Sequence, residues 1–289
     1  MENNKMRLVF SWVLRILLAA VFCLSALSKL SGIDHFELYI FSYGLLPLNL
    51  CYLAARLCIA AELVLALFIL LGCYPRTTRL ATLGILLLFT LFLCYAALVG
   101  RNDSCQCFGQ WIHMAPMQSL LKNALLILLV LLYYRLLAPP TRKPRWWLVA
   151  LLAAALTALP FVVSVPDNWM FGAQRLSYNE EVLAQSLEEE GALAAHGLGD
   201  GHRLVAFVTK GCPYCKMARE KLASIVNRHG LDSAHIVYLL PSDLPDGMFV
   251  GITYGSRPLL MLLDGKEVVA TYHYRNIDEK QIASFLKTK

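Results

Sequence analysis

Charged residues are scarce in this sequence: Asp, Glu, Lys and Arg make up 16% of its 289 residues, whereas 58% are hydrophobic. Because soluble domains carry about 25% charged residues, this composition excludes a wholly soluble globular protein. The long apolar runs lie within residues 8–165, and residues 166–289 have the composition of a soluble domain. The sequence therefore predicts a membrane domain followed by a small globular domain.

Several functional signatures are also missing. The sequence has no glycine-rich phosphate-binding loop, no cluster of metal ligands and no nucleic-acid-binding motif. Its net charge of +6 arises largely from Lys and Arg residues that flank apolar runs, as membrane topology requires. The first apolar run is long and no small-residue cleavage site follows it, so we expect no signal peptide. We expect neither a metal centre nor a nucleic-acid partner.

Five apolar stretches are long enough to cross a lipid bilayer, because a helix needs about 20 residues to span the hydrocarbon core. A chain exposed to lipid must satisfy its own backbone hydrogen bonds, which favours helices. The predicted spans are residues 8–31, 50–71, 80–100, 117–138 and 146–165.

The distribution of Lys and Arg predicts the orientation of these spans. The N-terminus and the loops at 72–79 and 138–146 carry an excess of positive charge, whereas 32–49 has none and 101–116 is balanced. We therefore expect a multi-pass protein of the cytoplasmic (inner) membrane with its N-terminus inside. The C-terminal domain is then periplasmic, or extracytoplasmic in general, where disulfide chemistry is favoured.

The C-terminal region reads as β-α-β-β-β-α, with a Cys-Pro-Tyr-Cys motif between the first strand (204–208) and the first helix. This order and motif resemble the thioredoxin fold, and the Pro-Tyr dipeptide resembles glutaredoxins. The resemblance implies that Cys212 and Cys215 form a redox-active pair. It also assigns to Pro258, just before the third strand, the role of the cis-proline that faces this pair.

Position supports the same chemistry, because a cysteine at a helix N-terminus has its thiolate stabilised by free N–H groups and the helix dipole. Cys212 is therefore the expected nucleophile, and Cys215, one turn later, the residue that resolves a mixed disulfide. Lys210 and Lys216 add favourable charge. The alternatives are a structural disulfide or half of a zinc site, although the seven histidines show no suitable spacing.

A second pair, Cys105 and Cys107, follows the third span in the sequence Cys-Gln-Cys-Phe-Gly. Together with charged residues in the first two spans, it resembles the DoxX/MauE family of four-helix membrane proteins. In the MauE branch a glycine stands where this chain has Gln106. The resemblance covers residues 8–138, and the family is linked to amine dehydrogenase maturation and to quinone-linked sulfur oxidation.

A Cys-x-Cys disulfide closes a small, strained ring, and strain makes a disulfide easier to reduce. The pair therefore suits exchange better than structural support, although pairing elsewhere or metal coordination remains open. The roles of the other outer-half cysteines are also open: Cys23, Cys51, Cys58 and Cys94. Because Cys73 alone lies near the cytoplasm, we expect electrons to stay on the outer side or to pass to a lipid-soluble carrier.

Charged residues within membrane spans are costly and rarely idle. Arg15 and Glu62 fall at similar predicted depths on antiparallel spans, so we expect them to form an ion pair. The alternative is that Arg15 extends towards the membrane surface and Glu62 is protonated. Lys29 and Arg56 lie near the outer cysteines, where they could favour thiolates or bind the carbonyl oxygen of a quinone. Contact with lipid headgroups is the alternative for both.

The predicted architecture is an α-helical transmembrane bundle, four-helix DoxX/MauE-like plus a fifth span, with a C-terminal α/β thioredoxin-like domain. Residues 177–195 read as an amphipathic spacer or accessory helix, and glycines at 197, 199 and 201 as a flexible hinge. The domains are residues 1–145 (four-helix membrane domain), 146–166 (fifth span), 167–201 (linker) and 202–289 (thioredoxin-like domain).

Three functions are consistent with these features. The first is a membrane-bound thiol–disulfide oxidoreductase, in which Cys212 and Cys215 exchange with extracytoplasmic protein thiols or disulfides and with Cys105 and Cys107. The second is a maturation or assembly factor for a cysteine-rich client. The third is a quinone-linked respiratory subunit. No cofactor is firmly implied, and a quinone is the candidate.

Overall fold

The computed structural model describes residues 2–99, 115–136, 145–165, 176–188 and 191–287. The described chain divides into two compact units. Met1–Glu37 and Leu53–Val165 form one, here called the membrane unit, and Leu38–Tyr52 and Pro166–Lys289 form the other, the C-terminal unit. Cys105 and Cys107, the pair predicted to exchange electrons, lie outside the described residues.

Long helices dominate the first part of the chain. Five helices among the described residues are long and apolar enough to cross a membrane, which confirms the predicted number of spans and is compatible with a multi-pass membrane protein. The helices are α1 (Glu2–Ser31), α2 (Ile33–Ser42), α3 (Leu48–Leu71), α4 (Pro75–Leu98), α5 (Pro116–Leu136) and α6 (Trp146–Val163).

The boundary between α3 and α4 follows from local sequence. Gly72 has a φ of +67°, in the left-handed region, and its N–H donates to the carbonyl of Phe68. Helices commonly end at a glycine in this conformation. Pro75 then occupies the first position of α4, where its missing N–H costs nothing. A tight turn of three residues therefore joins α3 and α4.

Apolar side chains pack on one side of these helices and lie open on the other. The buried cluster draws on α1, α3, α4 and α5, including Leu18, Ile69 and Val130. Leu87 and Leu88 on α4 are more than half exposed. An exposed apolar surface of this kind is expected where lipid, rather than water, is the solvent.

The C-terminal unit contains a four-stranded mixed sheet in the order β2-β1-β3-β4. Strand β1 pairs in parallel with β2 and antiparallel with β3, and β3 pairs antiparallel with β4. The elements are α7 (Glu180–Ser186), β1 (His202–Phe207), α8 (Pro213–His229), β2 (Ile236–Leu239), α9 (Met248–Thr253), β3 (Leu259–Asp264), β4 (Glu267–Tyr272) and α10 (Glu279–Lys287).

Alternating residues of the two central strands fill hydrophobic clusters on opposite faces of the sheet. Leu204 and Leu260 belong to the cluster that includes helix α8, and Phe207 and Met261 to the cluster that includes α7 and α9. Because successive side chains of a strand point to opposite faces, both central strands are covered on both sides. The two central strands are therefore continuously apolar because they are buried between two helical layers.

The region before β1 is less helical than its amphipathic pattern predicts. Helix α7 covers seven residues, after which the N–H of Leu193 returns to the carbonyl of Ser186. Leu183, Leu187, Leu193 and Leu198 all enter the cluster beside α9. Burial of these leucines, rather than continuation of the helix, determines the local path of the chain.

Segment 38–52 departs most from expectation. The sequence predicts an extracytoplasmic loop at 32–49, whereas the structure forms α2 there and continues directly into α3 after a short turn. Leu38, Phe41, Leu48 and Tyr52 join the same hydrophobic cluster as α8 and α10. The C-terminal unit is therefore built from two separate parts of the chain.

Candidate redox site and its neighbours

Cys212 is the N-terminal capping residue of α8, at the point where the chain leaves β1. Gly211, with a φ of +75°, provides the turn that precedes it. Pro213 starts the helix with its fixed φ, and the N–H of Cys215 donates to Cys212 Sγ at 3.2 Å. The structure therefore places Cys212 at the N-terminus of a helix, as the sequence predicts.

The surroundings of Cys212 favour its thiolate. Burial by itself would raise the pKa of this thiol, but several hydrogen bonds together outweigh burial and leave the pKa below 9.0. These bonds come from the Cys215 thiol, from the N–H groups of Cys215 and Tyr214, and from the Thr209 hydroxyl. Each places a donor on the sulfur that would carry the negative charge.

The second cysteine has the opposite character. Cys215 is only 2% exposed, and burial, followed by donation of its proton to Cys212, raises its pKa above 9.0. The Thr209 hydroxyl lies 3.9 Å from Cys215 Sγ. One thiol of the pair is therefore partly accessible and has a lowered pKa, and its neighbour is buried and has a raised pKa.

Pro258 lies at the same end of the sheet as this pair. The antiparallel register joins Phe207, the last residue of β1, to Leu259, so the residue before Leu259 stands beside the loop that leads to Cys212. The Arg257–Pro258 peptide bond is cis. The ring of His273 hydrogen-bonds to the backbone of Arg257, and burial is the main reason why the pKa of His273 lies below 6.5.

A set of aromatic and basic residues beside the motif was not predicted from sequence. The ring of Tyr214, inside the Cys-Pro-Tyr-Cys motif, stacks on that of Tyr274 with 4.7 Å between centroids. Tyr274 in turn accepts a hydrogen bond, through its carbonyl oxygen, from Lys221 Nζ at 2.8 Å. One feature of the sequence indicates that Lys221 is buried: it lies within the apolar stripe of α8, between Ala218 and Ile225.

Segment 38–52 is held by charged side chains of the C-terminal unit. Arg228 donates to the carbonyl oxygens of Phe41 and Leu46, and Glu279 accepts the N–H of Leu48 at 3.0 Å. Arg228 and His229 both contact Glu279, at 2.8 and 3.0 Å. Burial would raise the pKa of Glu279, but the hydrogen bonds that its carboxylate accepts from Leu48, His229 and Arg228 outweigh burial and lower this pKa.

The ion pairs of the membrane unit differ from the predicted one. Lys29 Nζ lies 2.6 Å from Glu62 Oε1, with both side chains 3% exposed. Arg15 instead donates to the Tyr133 hydroxyl at 3.0 Å. The predicted pair of Arg15 and Glu62 is wrong because the Arg15 guanidinium lies against Gly72. Gly72 is ten residues after Glu62 on α3, or about 15 Å along the helix axis.

The two cations considered for quinone binding are engaged by carboxylates. Lys29 contacts Glu62, and Arg56 contacts Glu37 while also donating to the Ser164 carbonyl at 2.7 Å. A quinone carbonyl at either cation would compete with a buried carboxylate. Their arrangement fits internal charge neutralisation, which a buried cation requires.

Comparison with known proteins relates the membrane part of the chain to one family. Residues 7–136 match the family described as methylamine utilisation protein MauE, which confirms the resemblance predicted for residues 8–138. Protein TlpB of Flavobacterium psychrophilum is 30% identical over 122 residues, which cover 39% of this chain and 33% of TlpB. The match thus spans about a third of the length of that relative. No solved structure matches the chain. Residues 7–136 are therefore similar to the MauE family.

Proposed function

We propose that the protein is a membrane-bound thiol–disulfide oxidoreductase whose reactive pair is Cys212 and Cys215. The observation that carries this proposal is the asymmetry of the pair. Cys212 caps a helix and has a lowered pKa, while Cys215 is buried, has a raised pKa and lies one helical turn away. Disulfide exchange needs one thiol that attacks as a thiolate and a second thiol nearby that resolves the mixed disulfide, and this pair provides both.

The architecture around the pair supports the proposal. A parallel β1-α8-β2 unit followed by the antiparallel β3–β4 hairpin resembles the arrangement expected of a compact thioredoxin-like domain. Pro258 stands at the sheet end next to the cysteine loop, where such domains place their cis-proline. We therefore assign Pro258 to the contact surface for an extended substrate segment.

The proposed reaction proceeds in two exchanges. The Cys212 thiolate attacks a client disulfide, forming a mixed disulfide and releasing one client thiolate. The Cys215 thiolate then attacks Cys212 Sγ, which releases the second client thiolate and leaves a Cys212–Cys215 disulfide. The client gains two electrons and two protons, and the enzyme pair loses them. The reverse sequence oxidises a client dithiol.

We further propose that Cys105 and Cys107 restore the pair after each turnover. Exchange between the two pairs conserves electrons, because one dithiol becomes a disulfide as the other disulfide becomes a dithiol. The Lys and Arg distribution of the sequence supports this step by predicting that both pairs face the extracytoplasmic side. Attachment to one chain would give the two pairs an effective concentration in the millimolar range.

Trapping of the mixed disulfide tests this function. The Cys215→Ala variant, quenched with acid and alkylated, should accumulate disulfides of Cys212 with clients and with Cys105 or Cys107. A Cys212→Ser variant, which retains the buried thiol, should trap none. If Cys215→Ala forms no Cys212 adduct in any glutathione redox buffer, the oxidoreductase proposal is wrong. If adducts form with clients and never with Cys105 or Cys107, only the internal relay is wrong.

The match of residues 7–136 to a family named for methylamine utilisation favours a second candidate function. In this alternative, the protein is a maturation or assembly factor for one cysteine-rich extracytoplasmic client, and exchange is secondary. Cells that carry Cys212→Ser would then still produce the mature client. Under the oxidoreductase proposal, the same variant leaves client disulfides incomplete or wrongly paired.

A further inference from the structure

Helix α8 carries a lysine on the face that packs into the interior of the C-terminal unit. Lys221 is 1% exposed and belongs to the same helical face as Cys215, Ala218 and Ile225. An ammonium group removed from water needs fixed partners, because burial of an uncompensated charge is very costly. We therefore expect Lys221 to hold the residues that it contacts in fixed positions.

Two of these contacts are tyrosines from distant parts of the chain. Lys221 Nζ donates to the Tyr52 hydroxyl at 3.2 Å and to the Tyr274 carbonyl at 2.8 Å. It also lies near both aromatic rings, 5.3 Å from the centroid of Tyr52 and 5.7 Å from that of Tyr274. One cation thus joins both tyrosines by a hydrogen bond and by an electrostatic contact with the ring.

Tyr274 continues the contact to the redox motif. Its ring stacks on Tyr214 at an interplanar angle of 21°. The N–H groups of Tyr214 and Cys215 both donate to Cys212 and lower its pKa. Because these donors belong to the two peptide units that flank the Cα of Tyr214, the position of the Tyr214 ring affects how well they point at the sulfur.

The other end of the contact chain lies in segment 38–52. Tyr52 occupies the second turn of α3, a helix long and apolar enough to cross a membrane. The same segment is held by Arg228, which donates to Leu46, and by Glu279, which accepts from Leu48. All of these residues belong to the C-terminal unit.

We propose that Tyr52 and Lys221 are positioning residues for the redox pair, acting through Tyr274 and Tyr214 on Cys212. The inference rests on the proposed oxidoreductase function and adds to it a requirement for segment 38–52. The reactive thiolate is fully formed only when the start of α3 occupies its place beside α8. The redox site therefore includes a residue that precedes the thioredoxin-like region by more than a hundred positions.

The test is the pH profile of Cys212 alkylation in the full-length protein, followed by mass spectrometry of the peptide that contains Cys212. In Tyr52→Phe and Lys221→Met the pH of half-maximal alkylation should rise. The rate at neutral pH should fall by about threefold or more, because only the thiolate reacts. Lys221→Arg, which retains the cation, should recover part of the rate.

Two matched controls separate positioning from general effects. Tyr43→Phe removes a hydroxyl that lies in the same segment and donates to the Tyr39 hydroxyl. Lys280→Met removes an exposed positive charge from α10. Both should retain the wild-type profile, and an equal shift in either would overturn the inference.

An unchanged profile in Tyr52→Phe would overturn it as well, and this variant decides the matter if Lys221→Met does not accumulate. Failure of the oxidoreductase function itself has a different signature, since Cys215→Ala in an otherwise wild-type chain would then trap no mixed disulfide.

Discussion

Glu62 on α3 pairs with Lys29 on α1 in the interior of the membrane unit, and Ser25 lies 2.7 Å from the same ammonium. Both charged side chains are almost completely buried. Removal of one partner would leave the other charge uncompensated in a low-dielectric interior. The pair therefore links α1 and α3 at one position along their length, and Ser25 hydrogen-bonds to both of its members.

The first prediction concerns this pair. Glu62→Gln should destabilise the protein by about 3 kcal/mol, because the remaining ammonium loses its carboxylate. The double variant Lys29→Met/Glu62→Gln should be more stable than the single variant. Thermal unfolding in detergent measures both, and a single variant as stable as wild type would contradict a buried ion pair.

The second prediction concerns the close approach of Arg15 to Gly72. A Cβ at position 72 would meet the guanidinium, whereas a Cβ at Gly44, which has a similar φ of +71°, would meet nothing within 4 Å. Gly44→Ala should therefore cost only the backbone penalty of about 1 kcal/mol. Gly72→Ala should cost clearly more, and Arg15→Met should recover part of the difference. Equal losses in the two alanine variants would mean that the contact has no energetic weight.

The third prediction concerns the Thr209 hydroxyl, one of the groups that lower the pKa of Cys212. Thr209→Val should raise this pKa, so that alkylation of Cys212 at neutral pH slows by about twofold while its rate at high pH is unchanged. Ser224→Ala, on the exposed face of α8, is the matched control. A slower reaction at every pH would indicate altered access instead of altered ionisation.

Sequence alone was sufficient for the features that depend on local pattern. Five apolar runs predicted five spans, and a Cys-Pro-Tyr-Cys motif before an amphipathic stretch predicted a cysteine at a helix N-terminus. It was insufficient where the outcome depends on the relative axial position of packed helices. Similar predicted depths pair Glu62 with Arg15, whereas in the structure Arg15 lies beside Gly72, about 15 Å from Glu62 along the helix axis, and Lys29 contacts Glu62.

Contacts between segments that are distant in the chain also could not be predicted from the sequence. Lys221 and Tyr52 are 169 positions apart, and no pattern joins them. A lysine in an apolar helical stripe indicates that some buried partner exists, but only tertiary packing identifies the partner. For the same reason, the sequence predicts a loop at 32–49, whereas apolar residues of this part of the chain complete the core beside α8.

The last prediction concerns Glu279, which links Arg228, His229 and the N–H of Leu48. Its pKa in the folded protein lies below the ordinary value of 4.5, so its carboxylate contributes stability that is present above pH 4.5. That contribution is lost as the pH falls from 4.5 towards the lower pKa of the folded state. Glu279→Gln should therefore unfold at a lower temperature than wild type at pH 7.

The difference in unfolding temperature between Glu279→Gln and wild type should shrink on acidification, as the wild-type carboxylate becomes protonated. Glu267→Gln, an exposed glutamate on β4, serves as the control and should unfold like wild type at both pH values. A difference that stays constant from pH 7 to below 4.5 would show that the Glu279 carboxylate stabilises the protein by shape alone. The attachment of segment 38–52 would then not depend on its charge.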